Sequence, residues 1–224
     1  MFASVFSAAI SGMEVHLIKV EADVSDGLPS FTMVGLPSTQ VKEAQDRVRT
    51  ALKNNGIALP PKRITVNLAP ADIRKEGAGF DLPLAAAVLA AAGVLSAAQL
   101  GNVMMAGEIG LNGEIHAVSG ILPMIIRARE EKCRFCVVPY DNLREAHLIP
   151  DMKVIGVSNL QEMIRYVGAP DSYKKAVETK RKEKQENAVD FCEIHGQESL
   201  KRAVEIAVSG FHNLLMIGPP GAGK

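Results

Sequence analysis

The sequence contains no tryptophan, and aromatic residues make up only 4% of its 224 positions. That scarcity disfavours a base-stacking platform for single strands, which uses rings as its contact surface. Net charge is also missing, because Lys+Arg and Asp+Glu both number 25. No whole-chain polyanion signature follows from that balance. Cysteine is sparse at three residues, which suits a reducing compartment rather than a disulfide framework. Long hydrophobic runs are absent too. The longest, Leu82 to Ala92, is too short to span a bilayer and reads as a core helix. The opening "MFASVFSAAISG" lacks the basic flank of a signal peptide. A cytoplasmic protein that does not engage a membrane is the expectation.

What is present is ordinary for a globular protein, with 47% hydrophobic and 22% charged residues. The length allows one full domain and a piece of another. Strands are expected at Met13–Val24 and Ser30–Gly35, around a turn at Gly27 and Pro29. From Ser38 the period becomes helical. Val41, Ala44, Val48, Ala51 and Leu52 share one face, and Gly56 can close the C-terminus. "RITVNLAP" alternates again, with Ile64, Val66 and Leu68 on one side. Asp81 is positioned as the N-cap of a helix running to about Ala92, apolar on every side and therefore central. "VMMAGEIGLNGEIHAV" carries a hairpin turn at Asn112-Gly113. A helix through Ile125 and Arg129, a strand "FCVVP", a short helix near Leu143, a strand "KVIGV" and a helix "NLQEMIRYVG" follow. The mixture argues an α/β (α+β) fold.

Between Lys174 and Asp190 the composition changes to six Lys/Arg, four Asp/Glu and almost nothing apolar. This reads as a solvated linker or exposed helix; interleaved acids weaken the alternative of a basic nucleic-acid arm. The expected organisation is a domain over 1–168, a charged linker over 169–189 and a second module starting at 190. In that module Leu200, Ala203, Val204 and Ala207 fall on one helical face. Asn213 to Ile217, "NLLMI", reads as a buried strand.

After that run come Gly218, Pro219, Pro220, Gly221, Ala222, Gly223 and Lys224. They fit the first seven positions of the G-x-x-x-x-G-K-[ST] phosphate loop. Glycines let successive N–H groups converge on a phosphate, and the lysine ammonium reaches its outer oxygens. A Gly/Pro-rich surface turn ending in lysine is the bland alternative. The Ser or Thr for Mg²⁺ would follow Lys224, so the 224-residue polypeptide is expected neither to hydrolyse ATP nor to bind it tightly. No residue is assigned a catalytic or metal-ligating role.

"DFCEIHGQESLKRAVEIAVSGFHNLLMIGPPGAGK" resembles the entry to the AAA+ module of YifB/ComM-type magnesium-chelatase-like ATPases. "GLPSTQVKEAQDRVRTALKNNG", "ITVNLAPADIRKEGAGFDLPLA" and "GEIGLNGEIHAVSGILPM" resemble the N-terminal domain of the same family. The resemblance implies ATP and Mg²⁺ as cofactors in an intact parent, a homo-oligomeric ring and DNA as the substrate. The N-terminal domain is also similar to the Lon protease catalytic domain. Lon proteases carry a serine in "K-D-G-P-S-A-G" and a lysine in "G-G-L-K". Those positions align here with Gly79 and Leu122, so the Ser-Lys dyad is absent.

Other constellations are weaker. Cys133, Cys136, Cys192 and His195 suggest zinc, but residues three apart on a strand point to opposite faces. Glu108, Glu114 and His116 flank a hairpin without a nucleophile, and Lys75-Glu76 reads as a loop shaping the core helix. Arg47, Arg49, Lys53, Lys62, Arg63, Arg74 and Lys75 form a local basic excess. It is either a solvated face, the favoured reading, or a nucleic-acid surface. Three functions compete: an ATP-driven AAA+ remodeller, a metal-chelatase-type ATPase subunit, and a non-catalytic interaction module.

Overall fold

The computed structural model describes residues 1–12, 14–173, 193–219 and 221. The chain divides into two compact units, Met1–Ala176 and Val177–Lys224. Of the stretch read as a charged linker, residues 169–173 are described and 174–189 lie outside the described residues.

The first unit is built on a seven-stranded sheet. Its strands are β1 (Phe2–Ser11), β2 (Glu14–Ser25), β3 (Ser30–Val34), β4 (Arg63–Ala69), β5 (Val103–Met105), β8 (Phe135–Pro139) and β9 (Val154–Val157), in the order β3-β4-β2-β1-β5-β8-β9. Pairs β1–β2 and β2–β4 are antiparallel; β3–β4, β1–β5, β5–β8 and β8–β9 are parallel. A separate two-stranded hairpin joins β6 (Glu108–Ile109) to β7 (Ile115–His116) across the Asn112-Gly113 turn.

β1 is a strand that the sequence reading did not anticipate. Ala and Ser have little strand preference, but ten residues of register with β2, from Phe2 opposite Asp23 to Ser11 opposite Glu14, hold it at the sheet centre. Small side chains suit this position because α2 (Asp81–Ala91) lies against it. All eleven α2 residues are buried, as an all-round apolar helix requires.

The alternation of each strand separates two cores. Val5, Val20, Val66, Met105, Val137 and Ile155 face α1 (Thr39–Asn54), α2 and α6 (Leu160–Gly168). Ala8, Met104, Cys136 and Val138 face α4 (Ile121–Glu130) and α5 (Leu143–Ala146). A short α3 (Ala97–Leu100) follows α2. The helix ends obey local chemistry. Ser38 caps α1 by accepting from the Val41 N–H at 3.4 Å. At the other end Gly56 (φ +74°) sends its N–H to Lys53 and Ile57 sends its own to Leu52, a Schellman closure.

Asp81 corrects one expectation. The N-cap of α2 is Phe80, preceded by a 3₁₀ turn at Ala78–Phe80, and Asp81 is the first helical residue. Its carboxylate is engaged elsewhere. Packing also continues past Gly168, where Tyr173 meets Tyr166 edge-on at 5.1 Å.

In the second unit α7 spans Glu198–Ser209, entered through left-handed Gly196 and Gln197. Leu200, Ala203, Val204 and Ala207 form its less exposed face. Asn213 to Ile217 is not a strand. It is exposed, with Leu215 82% and Ile217 88% accessible. A strand exists only through a neighbour's ladder, and no strand of this unit is present among the described residues. No described helix is long and apolar enough to cross a membrane.

Candidate functional site

The phosphate-loop sequence is described only in part. Gly218 and Pro219 follow the exposed run, and Gly221 has φ +84°, the left-handed backbone that an anion-cradling turn requires. Pro220, Ala222, Gly223 and Lys224 lie outside the described residues.

The basic excess of the first unit does not form one surface. Arg47 is not a surface cation. Its Nε and Nη2 each donate to the Asp81 carboxylate at 2.8 Å, with Asp81 fully buried and Arg47 only 24% exposed. The same carboxylate accepts the Ile109 N–H at 3.2 Å, tying α1, α2 and the β6–β7 hairpin together. Burial pushes the Asp81 carboxyl above its ordinary range, opposed by the Arg47 hydrogen bonds, while Arg47 itself is raised by Asp81.

Lys75 is wholly buried, which nothing in its polar local sequence announces. Its Nζ donates to the carbonyl of Gly35 at 2.8 Å and to that of Pro70. Its own carbonyl accepts from Ser38 at 3.0 Å. Desolvation lowers its pKa. The side chain is therefore a clasp between the 35–38 and 70–75 loops, unavailable to a ligand. Arg74, by contrast, is exposed and pairs with Glu76 at 2.9 Å.

Three of the seven cations do converge. Arg49 and Lys53, one turn apart on α1, line a cleft of about 420 Å³ together with Lys62. Phe31 at the sheet edge, Leu59 and Pro60 form its apolar wall. Lys62 pairs with Asp26 at 2.8 Å, whereas Arg49 and Lys53 have no ion pair among the described residues. Arg63 is exposed beside this edge. Sequence spacing alone reveals the Arg49–Lys53 pair, but only the β3–β4 pairing brings Phe31 to it.

The remaining constellations stay apart or turn inward. Cys133 and Cys136 are both buried, and both join the core beneath α4. The opposite-face expectation fails because Cys133 sits in the turn before β8, where strand alternation does not apply. Burial raises both thiols. Cys192 lies outside the described residues. Glu108 stands opposite His116 across the hairpin, and Glu114 bridges to Asn159. Gly79 occupies the turn before α2, and Leu122 the first turn of α4. A Cβ at Gly79 would meet only Val118 Cγ2, at 4.0 Å, so space does not demand glycine there.

Comparison with known proteins places this architecture in a class. A family model described as subunit ChlI of Mg-chelatase matches residues 20–142, and one described as magnesium chelatase, subunit ChlI, matches 190–224. The first match covers more than half of the chain, which belongs to the magnesium-chelatase ChlI family, in its YifB/ComM type. Competence protein ComM of Haemophilus influenzae is 41% identical over 99% of the chain and 44% of its own length. YifB of Escherichia coli is 40% identical over 98% of the chain and 43% of its own length. The chain therefore spans less than half the length of the curated relatives it matches.

Proposed function

We propose that the chain forms the N-terminal part of an ATP-driven AAA+ remodeller that acts on nucleic acid as a homo-oligomeric ring. Residues 1–168 would be a Lon-protease-like domain without the Ser-Lys dyad, because Gly79 and Leu122 offer neither nucleophile nor base. Residues 190–224 would lead into the nucleotide site. The observation that carries this reading is the run Gly218 to Lys224 inside the second family match. Backbone amides around Gly221 and the Lys224 ammonium would hold the phosphates of Mg·ATP, whose bound metal supplies charge neutralisation. The competence name of the Haemophilus relative supports DNA as the substrate.

The test is ATP turnover by a version extended to the full length of the relatives. Lys224→Ala should abolish that turnover; full activity in the variant would sink the phosphate-loop reading. The chelatase description favours one other reading, a metal-chelatase-type ATPase subunit. Stimulation of turnover by DNA, but not by a porphyrin with Mg²⁺, separates the two.

A further inference from the structure

We infer that the cleft beside β3 in the first unit receives one nucleotide of a single-stranded nucleic acid, its phosphates on Arg49 and Lys53 and its base against Phe31 and Pro60. Three observations carry this. The cleft lining combines three cations with half-buried apolar residues, Phe31 among them, and includes no Asp or Glu. Arg49 and Lys53 have no ion pair among the described residues, so phosphate would not have to displace one. The volume of about 420 Å³ falls in the range of small-ligand clefts.

Each kind of lining residue excludes a simpler occupant. A lone inorganic anion would leave the Phe31–Pro60 wall against water. A duplex keeps its base faces stacked within the helix, and only an unpaired base can turn a face toward a ring. Two cations one helical turn apart suit a chain that presents successive phosphates. The Gly56 and Ile57 amides already engage the Lys53 and Leu52 carbonyls at the end of α1, which lessens their repulsion of phosphate. The low aromatic content does not oppose the inference, since one ring placed beside free cations is enough for one base.

This inference rests on the nucleic-acid reading above and assigns it to a place in the N-terminal unit. Fluorescence anisotropy of the 224-residue protein with a labelled oligothymidylate tests it, over a salt series. Arg49→Ala/Lys53→Ala should weaken binding about tenfold or more and make the log–log salt slope shallower by about 1.4, or about 0.7 per lost phosphate contact. Phe31→Leu should weaken the single strand about fivefold or more and leave any duplex binding unmoved. Lys42→Ala/Arg129→Ala removes the same charge from exposed positions elsewhere and should change little; thermal melts confirm that every variant is folded.

Equal weakening by the control pair would overturn the cleft assignment, as would duplex DNA or polyglutamate binding as tightly as the single strand. So would the absence of strand binding. Those failures leave the broader reading intact if DNA still stimulates turnover of the extended protein. Loss of that stimulation is what ends the broader reading.

Discussion

Replacing Arg47 by Ala should be among the most damaging single changes outside the apolar core. The guanidinium contributes two charge-assisted hydrogen bonds of 2.8 Å to a carboxylate with no solvent exposure. Without it Asp81 keeps one partner, the Ile109 N–H, and must remain buried as a bare charge or take up a proton. Breaking one side of such a pair costs about 3–5 kcal/mol. The 24% exposure of Arg47 admits water to the vacated position and points to the lower end, about 3 kcal/mol. At roughly 2–4 °C per kcal/mol for a unit of this size, the melting temperature should fall by about 6–12 °C.

The pH dependence carries the sign. Burial already raises the Asp81 pKa in the folded protein, and loss of Arg47 raises it further. A folded pKa above the unfolded one means that the penalty is present above the folded pKa. It fades as pH falls through that value toward the unfolded one. The gap between wild type and Arg47→Ala should therefore narrow on acidification. Arg47→Met/Asp81→Leu removes both charges and leaves only the Ile109 amide unpaired, at about 1–3 kcal/mol, with no such narrowing. Urea titrations at several pH values measure all three proteins. A cost under 1 kcal/mol for Arg47→Ala, or a gap that widens on acidification, would refute the reasoning.

Leu89→Ala, on the fully buried face of α2, should cost about 2–5 kcal/mol in the same titration; a loss below 1 kcal/mol would mean that α2 is not central. Gly35 has φ +95°, and a Cβ there would overlap the Leu68 carbonyl. A strain-free Gly→Ala change stabilises by up to about 1 kcal/mol, whereas Gly35→Ala should destabilise the unit by more than that amount. Gly79 faces open space by comparison, so Gly79→Ala should stay within about 1 kcal/mol of wild type; parity between the two glycines would contradict the close approach at Gly35. A serine-reactive fluorophosphonate should leave the protein unlabelled between residues 75 and 95, and a stoichiometric adduct there would falsify the absence of a nucleophile.

How far the sequence could be read depended on whether a feature is local. The alternation of Ile64, Val66 and Leu68 follows from period and the α2 helix from its continuous apolar run, and both stand as expected. Asp81 did not follow. An acid before an apolar run looks the same whether it caps a helix or pairs with a residue 34 positions upstream. Lys75 sits in a polar stretch, and its burial depends on carbonyls at Gly35 and Pro70 that only the folded loops assemble. β1 was hidden by its Ala and Ser content. "NLLMI" failed in the opposite sense, since apolar composition suggests a strand but cannot supply the partner that makes one. Arg49 and Lys53 were legible as a pair; the cleft they line was not, because its far wall comes from another strand.

The α2 helix raises a question of orientation. A cylinder that is apolar on every side gains nearly the same hydrophobic energy at any rotation about its axis, so burial holds it in place without fixing which way it faces. The polar mark at its N-terminal end is Asp81, held by Arg47 from α1 and by Ile109 from the hairpin. The ion pair would then act as an index pin, setting the angle of a shaft that the surrounding apolar side chains only grip. We expect Arg47→Met/Asp81→Leu to recover much of the stability lost in Arg47→Ala while its core loses definition, visible as broadened methyl resonances of Leu82, Leu84 and Val88. Sharp, single methyl signals in that variant would show that shape alone sets the angle.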